Sequence, residues 1–278
     1  MHREANASAA GPAGLPEGYE WAPGEGWRVA LRSEDRATLL TAGVLDPETL
    51  AAKGEPAFAG RGRPMRVALP DGTAGVLRRY RHGGLFRGLT GRRFLGPPRP
   101  LRELLATARA ETSGAAVPRV LAAWFRPAGP LLHEGFLLTR EVTGATDLGA
   151  WLRAGHPAGP ALRAAGRQAR RLHEAGVWHA DLHAKNVLLA AGDAIIIDLD
   201  RARVLDPVPR DMRMANLLRF DRSLVKLARR GPAVRFGDRL RFFKAYFGAR
   251  PGRSEERALL ARCRRSLSWH RLFWGRVR

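Results

Sequence analysis

The stretch Val177-Trp178-His179-Ala180-Asp181-Leu182-His183-Ala184-Lys185-Asn186-Val187-Leu188-Leu189 decides the fold, together with Ala194-Ile195-Ile196-Ile197-Asp198-Leu199-Asp200-Arg201. A long helical pattern precedes it over residues 160–175. Leu162, Ala165, Ala169 and Leu172 share one face of that helix, and Gly176 ends it. A polar loop then places Asp181 and Asn186 near each other. Residues 187–189 read as a short strand, Gly192-Asp193 as a turn, and residues 195–197 as the antiparallel return. This pairing brings Asn186 and Asp198 to the same sheet edge. An amide oxygen and a carboxylate there are hard oxygen donors suited to Mg2+.

H-x-D, an Asn five residues after the Asp, and a strand pair ending in Asp form the layout of protein-kinase-like phosphotransferases. Phosphoryl transfer asks for metal-held phosphates, an in-line nucleophile and charge neutralisation rather than covalent help. In that reading Asp181 orients the acceptor hydroxyl and takes its proton late. Asn186 and Asp198 hold the metal, and His179 braces the loop. Any one piece alone also fits a surface loop with a solvated Asp and a capping Asn. The combination carries the reading.

Working outward, short helical stretches are expected over residues 33–40 and 46–53. Met65-Arg66-Val67-Ala68-Leu69 and Gly75-Val76-Leu77-Arg78-Arg79-Tyr80 flank the turn Pro70-Asp71-Gly72, which predicts a hairpin. Gly60-Arg61-Gly62 stands at its entrance. Residues 99–110 have helical spacing, and residues 117–125 and 135–142 read as a second hairpin. Strands dominate before residue 142 and helices after it, so the expected class is α+β with two lobes. The expected divisions are an N-terminal extension (1–55, partly disordered), a strand-rich lobe (56–142), a helical lobe (143–249) and a basic, aromatic C-terminal segment (250–278).

The run from His179 to Leu189, then Ile197-Asp198-Leu199-Asp200-Arg201, resembles the 3-deoxy-D-manno-octulosonic acid (Kdo) kinases, of the lipopolysaccharide kinase branch of the kinase-like fold. Val76-Leu77-Arg78-Arg79-Tyr80-Arg81-His82-Gly83-Gly84-Leu85 and Arg222-Ser223-Leu224-Val225-Lys226 are similar to further segments of that family. The resemblance spans roughly residues 58 to 247. It implies ATP-dependent phosphorylation of Kdo on lipid A, with Mg2+, by a peripheral protein at the cytoplasmic face of a Gram-negative inner membrane. Spacing and composition alone stop at a kinase-like phosphotransferase, which leaves open a heptose kinase, another small-molecule kinase or a nucleotide-binding pseudokinase.

Kinases place a Lys on the third strand to hold phosphates, paired with a Glu on the next helix. Here Lys53 precedes the glycine segment and the next lysine is Lys185. Arg78 therefore takes the lysine position, with Glu103 as its candidate partner and Glu111 as the second choice. The alternative for Arg78 is an exposed strand arginine in an arginine-rich chain. Gly60 and Gly62 would cover phosphates through backbone N–H groups, or form an ordinary hairpin turn. Asp200 stands where kinases carry the Gly of D-F-G. It is read as a metal or acceptor ligand, or as an ion-pair partner of Arg201 or Arg203. The region after it has no A-P-E-like segment, which argues against a regulated kinase with a protein substrate.

The 278 residues carry 48 Lys and Arg against 26 Asp and Glu, a formal net charge of +22. Such a balance calls for an anionic partner: nucleic acid, a membrane surface or a phosphorylated substrate. No nucleic-acid recognition motif is present, so sequence-specific binding there is not expected. An aminoglycoside acceptor is disfavoured, because a polycation needs an acidic site. The single cysteine, Cys263, excludes an internal disulfide. No run is long and apolar enough to span a membrane, and residues 1–16 lack the apolar core of a secretory signal. Residues 250–278 hold nine Arg and two Glu, with Trp269, Phe273 and Trp274 interleaved. That mixture suits either an anionic membrane interface or a terminal helix packed on the large lobe.

Overall fold

The computed structural model describes residues 14–24, 26–57, 64–80, 94–95, 97–129, 132–229, 231 and 234–248. The chain divides into two compact units. The first comprises Met1–Leu101 with Val120–Thr139, and the second Arg102–Arg119 with Arg140–Arg278.

The first unit is built on an antiparallel sheet. Its strands are β1 (Tyr19–Pro23), β2 (Arg28–Arg32), β3 (Glu55–Pro56), β4 (Met65–Ala68), β5 (Ala74–Arg79), β6 (Phe94–Leu95), β7 (Val120–Pro127) and β8 (Leu132–Arg140). The order across the sheet is β1-β2-β7-β8-β5-β4-β3, with β6 also on β8. The hairpin expected around Pro70-Asp71-Gly72 is β4–β5, in register Met65↔Leu77 to Ala68↔Ala74. Gly72 turns it with φ +77°, a conformation that costs glycine little. The second expected hairpin is β7–β8. Strands β1 and β2 fall in the span read from sequence as an extension, and β2 pairs directly with β7 (Arg28↔Phe125 to Leu31↔Ala122). Two short helices, α1 (Arg36–Ala42) and α2 (Pro47–Ala52), follow β2. Asp46 caps α2 through bonds from the Glu48 and Thr49 amides. Trp124, Phe136, Leu31, Leu39, Leu77 and Leu138 fill the core under the sheet. The Trp124 indole N–H finds the Val44 carbonyl at 2.7 Å, so burying the ring strands no polar group.

The second unit is mainly helical. It contains most of α3 (Arg99–Thr112), then α4 (Leu148–Arg153), α5 (Ala158–Glu174), α6 (Arg210–Ala228) and α7 (Phe236–Phe247). Helix α5 buries Ala161, Leu162, Ala165, Ala169 and Leu172, the face read from the sequence. Its small residues let α7 approach closely: a Cβ on Gly166 would lie 2.2 Å from the Phe242 carbonyl oxygen. Phe220 of α6 stacks on Phe242 of α7 at 4.4 Å between ring centroids. Arg239 of α7 forms a two-pronged ion pair with Asp221 of α6, Nε–Oδ1 2.6 Å and Nη2–Oδ2 2.5 Å, both side chains buried. Two small sheets complete the unit. In one, β11 (Val187–Ala190) lies between β12 (Asp193–Ile196) and β9 (Thr146–Asp147); in the other, β10 (Val177–Trp178) pairs β13 (Arg203–Val204).

Candidate active site

The site grows from the β11–β12 ladder. Its register, Val187↔Ile196 to Ala190↔Asp193, is fixed by a tight turn with Ala191 and Gly192 both at positive φ. One step beyond the ladder the Ile197 amide donates to the Asn186 carbonyl at 3.0 Å. Asn186 and Asp198 therefore leave the same end of the strand pair, as the spacing predicted. Asp198 has φ +66°, an unusual backbone state for a residue with a Cβ. Aspartate tolerates it better than most residues do, and such positions cluster at working sites.

His179 ties the loop to that end. It is 1% exposed. Its Nδ1 accepts the Asp181 amide N–H at 3.0 Å, and its Nε2 lies 3.1 Å from the Ile197 carbonyl. The first contact requires a bare Nδ1 and the second a protonated Nε2, so the ring is neutral with the proton on Nε2. Burial holds its pKa below the ordinary histidine value, outweighing the Ile197 hydrogen bond and the charges of Asp198 and Asp181. His179 thus spans the chain from Asp181 to the residue before Asp198.

Asn186 is held from the other side. Its Nδ2 donates to the Asp181 carbonyl at 3.0 Å, which fixes the amide orientation and leaves Oδ1, a pure acceptor, as the end suited to a cation. Among the described residues no group of three or more His, Cys, Asp or Glu is placed to hold a metal. Two oxygen donors at one edge fit an ion that draws its remaining ligands from phosphate oxygens and water, which is how Mg2+ is usually held. The pair does not form the all-protein cage typical of Ca2+ or Zn2+ sites.

Helix α6 supplies residues that the motif does not reveal. Asn216 donates from Nδ2 to the His179 carbonyl at 2.8 Å and accepts at Oδ1 from His173 Nε2 at 3.0 Å. Ser223 Oγ accepts the Ala184 amide at 2.9 Å. Arg219, between them, donates from Nη2 to Asp181 Oδ1. Asn216, Arg219 and Ser223 follow the i, i+3, i+7 spacing of one helix face. That polar stripe is the signal in the sequence that points to them. Asp181 is partly open to solvent, and His183 Nε2 stands 3.6 Å from its Oδ2.

Arg78 is on β5 in the first unit, on the opposite face from the buried Leu77, and its Nη2 donates to Tyr80 Oη at 3.3 Å. Glu103 is on α3 in the second unit and is 4% exposed. Glu111 pairs with Arg119 at 3.5 Å. Gly60, Gly62 and the segment 250–278 lie outside the described residues.

A strand-rich unit, a helical unit and the loop-and-strand-pair arrangement define a kinase-like phosphotransferase fold. The architecture is similar to the solved structure "WaaP in complex with acyl carrier protein", at 24% identity and TM-score 0.58, covering 89% of this chain and 97% of that one. The chain belongs to the lipopolysaccharide kinase (Kdo/WaaP) family, whose model matches residues 51–246. A 3-deoxy-D-manno-octulosonic acid kinase of Xanthomonas campestris pv. campestris (strain B100) is 33% identical over 216 residues, covering 73% of this chain and 83% of that protein. One of the same description from Vibrio cholerae serotype O1 is 34% identical over 172 residues, covering 60% and 72%. The protein is a phosphotransferase that uses ATP and a hydroxyl acceptor, in lipopolysaccharide core biosynthesis.

Proposed function

We propose that this chain transfers the γ-phosphoryl group of ATP to a hydroxyl of Kdo on lipid A. The relatives named for that acceptor cover most of the chain. The observation that carries the reading is the Ile197–Asn186 backbone bond of 3.0 Å, which sets Asn186 and Asp198 at one edge beside the Asp181 loop.

In this mechanism Asp181 accepts a hydrogen bond from the acceptor hydroxyl and aims its oxygen at the γ-phosphorus. The new O–P bond forms as the bond to the β-phosphate oxygen breaks, ADP leaves, and the hydroxyl proton passes to Asp181. Asn186 Oδ1 and Asp198 would hold Mg2+, which when bound neutralises charge on the phosphate oxygens. His179, neutral and buried, positions the Asp181 backbone. In the same proposal Arg78 contacts phosphate in place of lysine. The lobe boundaries at residues 56, 143 and 250 belong to the same proposal.

The net charge of +22 supports an anionic glycolipid acceptor and peripheral contact with an anionic membrane, at the cytoplasmic face of the inner membrane. Among the described residues no helix is long and apolar enough to cross a membrane. Mass spectrometry of Kdo-lipid A incubated with the protein and Mg-ATP tests the reading: one added phosphate is expected. Asp181→Asn should lower turnover roughly 100-fold or more while retaining nucleotide binding. Unchanged turnover in that variant refutes the assignment of the base. Arg78 in the lysine position favours a second reading, nucleotide binding without transfer; binding with no phosphorylated product would establish it.

A further inference from the structure

We propose that Arg219 recognises the carboxylate of the acceptor sugar, and that it does so by exchanging Asp181 for that carboxylate. The inference rests on the acceptor being a sugar acid, as proposed above.

Arg219 is not a loose surface arginine placed by chance. Three residues before it, Asn216 is bonded to the His179 carbonyl at 2.8 Å; four after it, Ser223 accepts the Ala184 amide at 2.9 Å. These two anchors clamp α6 against both ends of the loop that carries Asp181. The guanidinium between them meets Asp181 Oδ1 through Nη2. His183 Nε2 faces the other carboxylate oxygen at 3.6 Å. Both oxygens of the proposed base are thus flanked by nitrogen groups before any acceptor arrives.

That arrangement has a chemical consequence. The oxygen that accepts from the guanidinium has one of its two lone pairs taken, which narrows the directions from which a hydroxyl can approach it. The pair is about half exposed, so its contribution to stability is small and does not explain its placement. An incoming carboxylate offers the same planar, two-oxygen partner that the guanidinium fork prefers. Exchanging one carboxylate for another costs little, because each bond broken is replaced by one of the same kind. Binding a sugar acid therefore releases Asp181 at the moment its hydroxyl arrives. A neutral sugar leaves the pair closed. Recognition and release of the base become one event, and acidic acceptors are selected without a deep pocket.

The test compares transfer from Mg-ATP to Kdo-lipid A with transfer to the same glycolipid after methyl esterification of the Kdo carboxyl group. For the unmodified protein, kcat/KM should be roughly 10- to 100-fold lower on the ester, the span expected for one charge-assisted interaction. In Arg219→Gln the acid-to-ester ratio should collapse toward one, with the loss on the acid falling mainly in KM. Arg219→Lys, which keeps the charge but not the fork, should recover part of the preference. Melting temperature and nucleotide affinity of both variants check that the fold is intact. An acid-to-ester ratio unchanged in Arg219→Gln overturns the inference, as does an unmodified protein that does not discriminate. In either case the proposed acceptor stands, because transfer is still seen. Absence of transfer to either glycolipid refutes the proposed acceptor, and the inference with it.

Discussion

Acidification from pH 7 to pH 4 should weaken the second unit through His173. This residue is 1% exposed, on α5, between Tyr246 of α7 and Asn216 of α6. Burial lowers its pKa to about 4, against the opposing hydrogen bond to Asn216. In the unfolded chain the imidazole returns to about 6.5. Between those values the unfolded chain binds a proton that the folded chain does not, so stability rises with pH across the window. Above pH 6.5 there is no penalty. Toward pH 4 it grows to about 3 kcal/mol, from roughly 2.5 pH units at 1.36 kcal/mol each. His179 is shifted in the same direction by its own burial and adds to the loss.

The assay is urea denaturation at pH steps from 7 to 4, followed by the helical circular-dichroism signal, which comes mainly from the second unit. Carboxylates titrate in the same range, so the informative quantity is a difference between two proteins. His173→Gln keeps a donor toward Asn216 Oδ1 and an acceptor toward Tyr246, and it does not titrate. Its unfolding free energy should fall less steeply with acid, by up to one proton's worth of slope. Identical slopes in the two proteins would refute the view that His173 is buried neutral.

Two further predictions concern the same unit. Asp221→Ala leaves the Arg239 guanidinium buried without its two-pronged partner and should cost about 3–5 kcal/mol in urea denaturation; Asp221→Leu combined with Arg239→Met should recover much of that. Gly166→Ala should lower the melting temperature, because the added methyl meets the Phe242 carbonyl at 2.2 Å. Separating α5 from α7 is expected to cost about 1–3 kcal/mol, more than the gain in helix propensity returns.

The α+β class and the Asn186–Asp198 edge were legible because their signals are local. The turn at Gly192 fixes the register of two short apolar strands, and five residues separate Asp181 from Asn186. Strands β1 and β2 were not legible. Tyr19–Pro23 ends in a proline, and β2 finds its partner β7 about ninety residues later, a pairing that no local pattern announces. Helix α6 was seen only through residues 222–226. Its buried positions include Asn216 and Asp221, and polar residues inside a helix blunt the apolar period. The contacts of Arg219 and Asn216 with the loop cross 38 and 37 positions, so only the finished fold displays them.

The polar chain through these helices has one self-consistent proton arrangement. Asn216 Nδ2 must donate to the His179 carbonyl, so its Oδ1 accepts, and His173 carries its proton on Nε2. His173 Nδ1 is then bare and accepts from Tyr246 Oη at 2.8 Å. Burial raises the Tyr246 pKa to about 12, which keeps that donor protonated. At the other end neutral His179 accepts from the Asp181 amide and donates to Ile197. In a chain where each group dictates the state of the next, replacing one member by an apolar residue strands a buried donor or acceptor. It ends at the backbone of Asp181 and one residue short of Asp198. The chain leaving Asp198 is itself pinned, since Arg203–Val204 pairs with Val177–Trp178 just before His179. The two carboxylates proposed to carry the chemistry are therefore set by buried groups that stay neutral at physiological pH, and by a closed loop of backbone pairing. That fits a catalytic loop held in place by the fold itself.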